Sequence, residues 1–305
     1  MKVVQGQGGK MKITRSRKVG ITILAILSVA LLTFLFTSSN MVLFDSKGSI
    51  GQAQSTLIIT SVLLMAIIIV PVLLMSVYFP YKYRHSNKDA EYKPNWEHST
   101  KIEVIVWAVP CLIILALGWI TYQTSYSLDP RKEIASEEKP LTIQVVAMNW
   151  KWLFIYPEQQ IATVNEIALP VNRPVRFLVT SDTTMNSFFI PQLGSQVYAM
   201  AGMENRLHLM AEEKGVYRGI SANYSGFGFT NMKFKAHAVD NADFDQWVQK
   251  VKASDKVLND SSYDVLTANA KEQIKTAHPV TYFASVDPLR FKDIIEKHAG
   301  VQNGL

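Results

Sequence analysis

The stretch "YRGISANYSGFGFTNMKF", residues 217–234, is built from Ser, Gly, Asn and aromatic residues and ends close after a Met. Small residues framing such a Met give it the look of a metal-binding loop, yet it holds neither Cys nor His. Soft thiolates and imidazoles are what a copper-type site needs, so the frame stands without its ligands. Outward from it, short alternating segments bounded by turn residues run through the whole second half of the chain. "NSFFIPQLGSQVYAMAGMENRLHLMAEEKGVYRGIS", residues 186–221, supplies several, with turns at "LGS", "AGM" and "EKG". "LTIQVVAMNWKWLFIYP" (141–157) and "VNEIALPVNRPVRFLVTS" (164–181) add more, and "MKFKAHAV" (232–239) closes the series. Roughly seven or more short strands at this spacing predict a β-sandwich. Beyond Asp240 the period turns helical: "NADFDQWVQKVK" puts Phe244, Trp247, Val248 and Val251 on one face. A last helix is expected within "DPLRFKDIIEKH", residues 287–298.

The first half is of another kind. Crossing the hydrocarbon core takes about 20 largely apolar residues in a helix. Three runs qualify: residues 19–36, about 57–79 and about 102–122. Pro71 and Pro110 lie inside the second and third, where membrane helices tolerate them. Lys82, Arg84, Lys88, Lys93 and Lys101 crowd the loop of residues 80–101, whereas residues 37–56 carry only Lys47. The positive-inside rule therefore puts that loop in the cytoplasm and the polar second half outside, in a bacterial periplasm or its equivalent. Residues 1–40 read either as a signal peptide or as an uncleaved anchor helix, for Lys10, Lys12, Arg15, Arg17 and Lys18 precede the run and "TSS" follows it. The formal charge of +6 sits largely beside these runs, which makes it a topogenic signal and argues against nucleic acid as a partner. The single cysteine, Cys111, rules out an intrachain disulfide and a Cys-based zinc site. The histidines, His85, His98, His208, His237, His278 and His298, form no pair at metal-ligand spacing.

Together, "NWKWLFIYP" (149–157), "NSFFIPQLGSQVYAMAGM" (186–203) and "GISANYSGFGFTNMKF" (219–234) resemble subunit II of the haem-copper respiratory oxidases. The resemblance runs from about Lys47 to the C-terminus. It is strongest to the bo-type quinol oxidases, extending to "DAEYKPNWEHSTKIE" (89–103) and "VNEIALP" (164–170). It implies a membrane-anchored α+β chain in which two transmembrane helices, plus a signal or anchor helix, precede a cupredoxin-like β-sandwich with C-terminal helices. The implied boundaries are 1–40 for the leader, 41–125 for the helical hairpin, 126–240 for the sandwich and 241–305 for the extension.

In the cytochrome c oxidases of that superfamily, subunit II holds a dinuclear copper centre through an upstream His and a C-S-E-L/I-C-G-x-x-H-x-x-M loop. Laid on this chain, the upstream His becomes Asn186 and the first Cys becomes Ser221. The Glu becomes Asn223, the second Cys Ser225 and the loop His Phe229, so that only Met232 survives. Met232 is then expected to be a sandwich core residue, and the chain to carry no metal and no cofactor. The resemblance implies that the haems and one copper belong to a partner subunit I, with subunit III and a small subunit IV completing the complex. Quinol would be bound by the complex and not by this chain, and no catalytic residue is expected here. Glu103, opening the third run, is the candidate for the entrance of a proton path into subunit I, against a plain role as an N-terminal acid favoured by the helix dipole. Trp150 and Trp152 are expected to pack against the sandwich or subunit I. Two other readings remain: a cytochrome c oxidase subunit II, and a stand-alone membrane-anchored binding module.

Overall fold

The computed structural model describes residue 42, residues 44–91, residue 95 and residues 97–268 and 275–302. The first apolar run and the proposed leader 1–40 lie outside the described residues. The chain divides into two units at Asp45/Ser46, and every element below belongs to the second.

Two long helices open that unit, α1 (Ser49–Lys82) and α2 (Thr100–Ser127), both apolar and long enough to cross a membrane. At about 1.5 Å per residue each exceeds the roughly 30 Å of a hydrocarbon core. Their apolar side chains point outward, Val77 73% exposed and Leu115 70%, as helices in lipid require. Both overrun the expected 57–79 and 102–122. For α1 the reason is tertiary: its first turns pack on the sandwich. Gly51 N donates to Leu193 O at 3.0 Å, and Gln54 Nε2 to Ser195 Oγ at 2.7 Å. A Cβ at Gly48 would stand 2.4 Å from Met210 O, so glycine is what lets the helix start there.

The sandwich has two main sheets. Ten strands supply most of it: β1 (Leu141–Met148), β2 (Lys151–Tyr156), β3 (Ile161–Val164), β4 (Glu166–Pro170), β5 (Val175–Ser181), β6 (Asn186–Ile190), β7 (Gly194–Ala199), β8 (Asn205–Leu209), β9 (Gly215–Ser221) and β10 (Lys233–Val239). Past them come α3 (Asn241–Lys252), β11 (Val257–Leu258), α4 (Asp260–Ala268), β12 (Thr281–Phe283), β13 (Ser285–Val286) and α5 (Arg290–Gln302). One sheet runs β12-β3-β2-β1-β5-β8 and the other β4-β10-β9-β6-β7. Only the β1–β5 and β10–β4 pairings within them are parallel.

Strand parity separates two cores. Ile143, Val145 and Ala147 of β1, with Trp152, Phe154 and Tyr156 of β2, face the second sheet. The alternate residues Val146, Met148, Leu153 and Ile155 face outward, yet they are buried as well. Leu258, Tyr263, Leu266, Phe283, Phe291 and Ile294 of the C-terminal extension cover them. A sheet covered on both faces reads as a nearly continuous apolar run, which is why "LTIQVVAM" alternates so weakly. The extension is therefore part of the fold. Among its elements α3 matches the expected helix residue for residue, while α4, β11, β12 and β13 were not foreseen. Its last helix is tied to the sandwich through Asp182, 4% exposed, whose Oδ1 lies 3.1 Å from Lys297 Nζ and 3.2 Å from His298 Nε2.

Candidate functional site

The opening stretch folds as the end of β9, a loop, a single 3-10 turn (Phe229–Asn231) and the start of β10. Because β6 pairs with β9, Asn186 is brought to Ser221, and three of the positions that the resemblance aligns with copper ligands, Asn186, Ser221 and Asn223, are joined by hydrogen bonds. Ser221 Oγ donates to Asn186 Oδ1 at 3.0 Å and lies 3.2 Å from Asn223 O. Asn186 Nδ2 donates to Thr184 O at 2.9 Å, and Asn223 Nδ2 to Met185 O at 3.1 Å. Asn186 and Ser221 are both buried, so these bonds meet the obligation that burial puts on polar groups. Ser225 is half-buried in the loop, Phe229 stands edge-on to Tyr224 with centroids 5.7 Å apart, and Met232 is 1% exposed in the sandwich core.

The loop is moulded on Trp150. This residue closes the tight β1–β2 connection with φ 57°, a conformation few non-glycine residues adopt. Its indole Nε1 donates to Ser225 O at 3.0 Å. Gly226, at φ 109°, and Gly228 lie flat on the ring; a Cβ on Gly228 would stand 2.3 Å from Trp150 Cδ2. The glycines of the frame thus serve close backbone approach to an aromatic face. Trp152, two residues on, is fully buried and sits edge-on to Phe188 and Phe234 at 5.4 and 5.9 Å. At the tip, Tyr224 and Phe227 are exposed.

A dinuclear copper pair does not fit this donor set. Both thiolate positions are hydroxyls, both imidazole positions are an amide and a phenyl ring, and the surviving thioether is packed in the core. The oxygen of Asn186 is already spent on Ser221. Neutral hydroxyl and amide groups cannot bridge two soft metal ions.

Glu103 lies elsewhere, in the first turn of α2. Its Oε1 accepts from Ser99 N at 3.3 Å and stands 2.5 Å from His98 Nδ1. Glu97, His98, Ser99, Ile102 and Glu103 line a cleft of about 210 Å³ that opens outward. The acid therefore both caps the helix by accepting from the Ser99 N–H and is a reachable ionisable group.

Sequence reading missed a third polar cluster, because its members are far apart in the chain. Glu166, at the start of β4, takes hydrogen bonds from Tyr282 Oη and from Trp247 Nε1 at 3.4 Å, and its Oε2 lies 3.4 Å from His237 Nε2. Burial pushes the carboxyl up, but these donors and the nearby histidine outweigh it and hold it below the usual range. Tyr282 moves oppositely, its phenol raised by burial and by the Glu166 charge. A lowered carboxyl gives stability that is complete above its unfolded value and is lost as pH falls through the folded one. We therefore expect the fold's thermal midpoint to drop as pH falls below about 4.3. In Glu166→Gln that acid-side drop should shrink, at the cost of about 1.5–3 kcal/mol for a lost charged hydrogen bond. Calorimetry between neutral and acid pH reads both.

Comparison with known proteins gives this geometry its family. Residues 155–239 match the family model described as cytochrome C oxidase subunit II, periplasmic domain, and residues 252–300 match the COX aromatic rich motif. The chain is 54% identical to cytochrome bo(3) ubiquinol oxidase subunit 2 of Pseudomonas aeruginosa over 85% of its own length and 77% of that protein's. The chain belongs to the quinol oxidase subunit 2 family. Ubiquinol oxidase subunit 2 of Acetobacter aceti is 53% identical over 83% of this chain and 81% of its own, and quinol oxidase subunit 2 of Bacillus subtilis 39% over 79% and 77%. Among solved structures, the periplasmic domain of subunit II of cytochrome oxidase from Bradyrhizobium japonicum is similar over 38% of this chain and 96% of that one, at 23% identity and a TM-score of 0.36. The two apolar helices and the match to a periplasmic domain fit a membrane-anchored member of this family. Its aromatic rich motif coincides with the C-terminal extension that covers the outer face of β1 to β3.

Proposed function

We propose that this chain is the subunit II of a proton-pumping quinol oxidase, a structural and assembly subunit with no redox centre of its own. The complex oxidises quinol, reduces oxygen to water and moves protons across the bacterial inner membrane. The chain's part is to hold the sandwich on the periplasmic side, with residues 80–101 in the cytoplasm. The observation that supports this reading is the Asn186–Ser221–Asn223 cluster, three positions aligned with the family's metal ligands that are held instead by neutral hydrogen bonds. With no acceptor for an external electron carrier here, electrons enter through quinol in the bilayer and pass to haem in subunit I. Subunit I with its haems and copper, subunit III and subunit IV are the partners this reading requires. Trp150 and Trp152 support the fold at the site of the lost metal, and the exposed loop tip beside them faces a partner subunit.

Isolation of the chain in mild detergent tests the reading. The preparation should carry the haem-bearing subunits, consume oxygen with quinol as donor, and lack the near-infrared band of a dinuclear copper centre. A purified chain with neither haem-bearing partners nor quinol-dependent oxygen uptake would sink it.

Within this function Glu103 is proposed as a proton entrance to subunit I. Its exposed cleft and carboxylate support that, as does its place at the end of an apolar span. Glu103→Ala should lower turnover and proton uptake by up to about 10²-fold, the low end for a positioned proton-transfer group. Full turnover with full proton uptake in the variant leaves Glu103 a helix cap only.

A further inference from the structure

The cavity just beyond the end of α2 belongs to none of the sites above. Its volume is about 420 Å³, within the range of small-ligand pockets, and Asp129, Arg131, Val197, Tyr198, Asn205 and Arg206 line it. Where it sits is set by the chain. Helix α2 ends at Ser127, and Trp119, Tyr122 and Tyr126 are exposed over its last turns. Such aromatic residues mark the headgroup level of a bilayer. Asp129 and Arg131 follow within four residues of the helix end, and they cannot swing away. His208 N of β8 donates to Pro130 O at 3.0 Å, and Arg131 N donates to Asp129 Oδ1 at 2.9 Å. The cavity is thus fixed at headgroup depth, between the end of a membrane span and strands β7 and β8.

Its chemistry is of both signs. The Arg131 guanidinium is exposed, and Arg206 uses only Nε on Glu204 Oε1, at 3.3 Å, which leaves its terminal nitrogens as donors. A pair of guanidinium groups is suited to the oxygens of a phosphodiester. The Asp129 carboxylate in the same cavity, with Glu204 beside Arg206, offers a place for an ammonium group. Val197 and the half-exposed ring of Tyr198 give an apolar wall of the kind that acyl-glycerol carbon needs. Phosphate and ammonium a few bonds apart, joined to an apolar body, are the features of a phosphoethanolamine headgroup. We propose that this cavity is a binding site for one zwitterionic phospholipid, held by Arg131 and Arg206 at the phosphate and by Asp129 at the amine.

The inference goes beyond quinol oxidation, and its test counts lipid and not turnover. The complex that purifies with this chain is stripped of loosely held lipid, reloaded from vesicles of equal phosphatidylethanolamine and phosphatidylglycerol, and weighed by native mass spectrometry. The wild type should keep one phosphatidylethanolamine more than Arg131→Ala/Arg206→Ala, with retention in the variant about tenfold lower or less. Asp129→Asn should keep a lipid but lose the preference for ethanolamine over glycerol. Inorganic phosphate at millimolar level should displace neither. Equal lipid counts in the wild type and the double variant overturn the site, as does a wild-type complex whose retained lipid shows no ethanolamine preference. Displacement by inorganic phosphate would make it a free-phosphate site instead. Subunit stoichiometry and haem absorbance establish that each variant is assembled. If the double variant does not assemble, Arg131→Gln, a change at an exposed side chain, is read in the same way.

Discussion

Trp152→Ala should cost the sandwich about 3–5 kcal/mol, the range for removing a large aromatic side chain from a packed core. Trp152 is fully buried, and its ring touches Phe188 from one sheet strand and Phe234 from another. Those two rings are themselves stacked at 5.3 Å with 5° between their planes, and Phe154 stands 5.0 Å from Phe234. Truncation leaves a void at the junction of the two sheets, which no neighbour can fill without breaking the stack. A small domain has only about 5–15 kcal/mol in all, so the variant should reach the membrane at sharply reduced level. The measurement is the urea midpoint at which the sandwich of the detergent-solubilised complex loses protease resistance. Trp152→Phe, which keeps an aromatic body, should recover more than half of the loss. An alanine variant as resistant as the wild type would show that this cluster does not hold the sheets together.

Gly219→Ala should be nearly as damaging, though it adds one methyl group. Gly219 pairs across the strands with Phe234, whose ring lies over the place a side chain would take. A Cβ there would be 2.0 Å from Cζ and 2.2 Å from Cε1 of that ring. The ring cannot retreat, because Phe188 is stacked on it and Trp152 and Phe154 pack beside it. Overpacking of this kind costs about 1–3 kcal/mol and at times more. The same proteolysis midpoint reads it, and a double-mutant cycle makes the cause testable. With Phe234→Ala in place, Gly219→Ala should cost much less than it does alone. Equal costs in the two backgrounds would mean that the glycine is there for its backbone and not for the ring.

Much of this was legible in one dimension. The strands flanking residues 217–234 announce themselves by alternation, and the amphipathic period of residues 241–252 gave α3 with its buried Phe244, Val248 and Val251. The two spans were visible because lipid requires an apolar run of a given length, although their outer turns were not. Residues 49–56 are polar enough to be read as loop; they are helical because Gly48 and Gly51 let them settle on the carbonyls of Leu193 and Met210. The elements α4, β11, β12 and β13 escaped notice because they are short, and short segments carry too little periodicity to decide their type. The Glu166 cluster could not be seen, since Glu166, His237, Trp247 and Tyr282 have no spacing in common.

By itself the sequence determined which donor groups stand at the loop positions. Residue types alone show that Ser221, Ser225, Asn186 and Phe229 offer neither thiolate nor imidazole, and no arrangement could supply them. Only the tertiary structure decided why the loop nevertheless keeps its form. Gly226 and Gly228 have to pass flat over Trp150, and Asn186 and Ser221 have to satisfy each other once β6 and β9 bury them together. Ligand identity is a property of single residues and can be read from their order. Close approach and the pairing of buried polar groups are properties of distance, and distance is set by the fold.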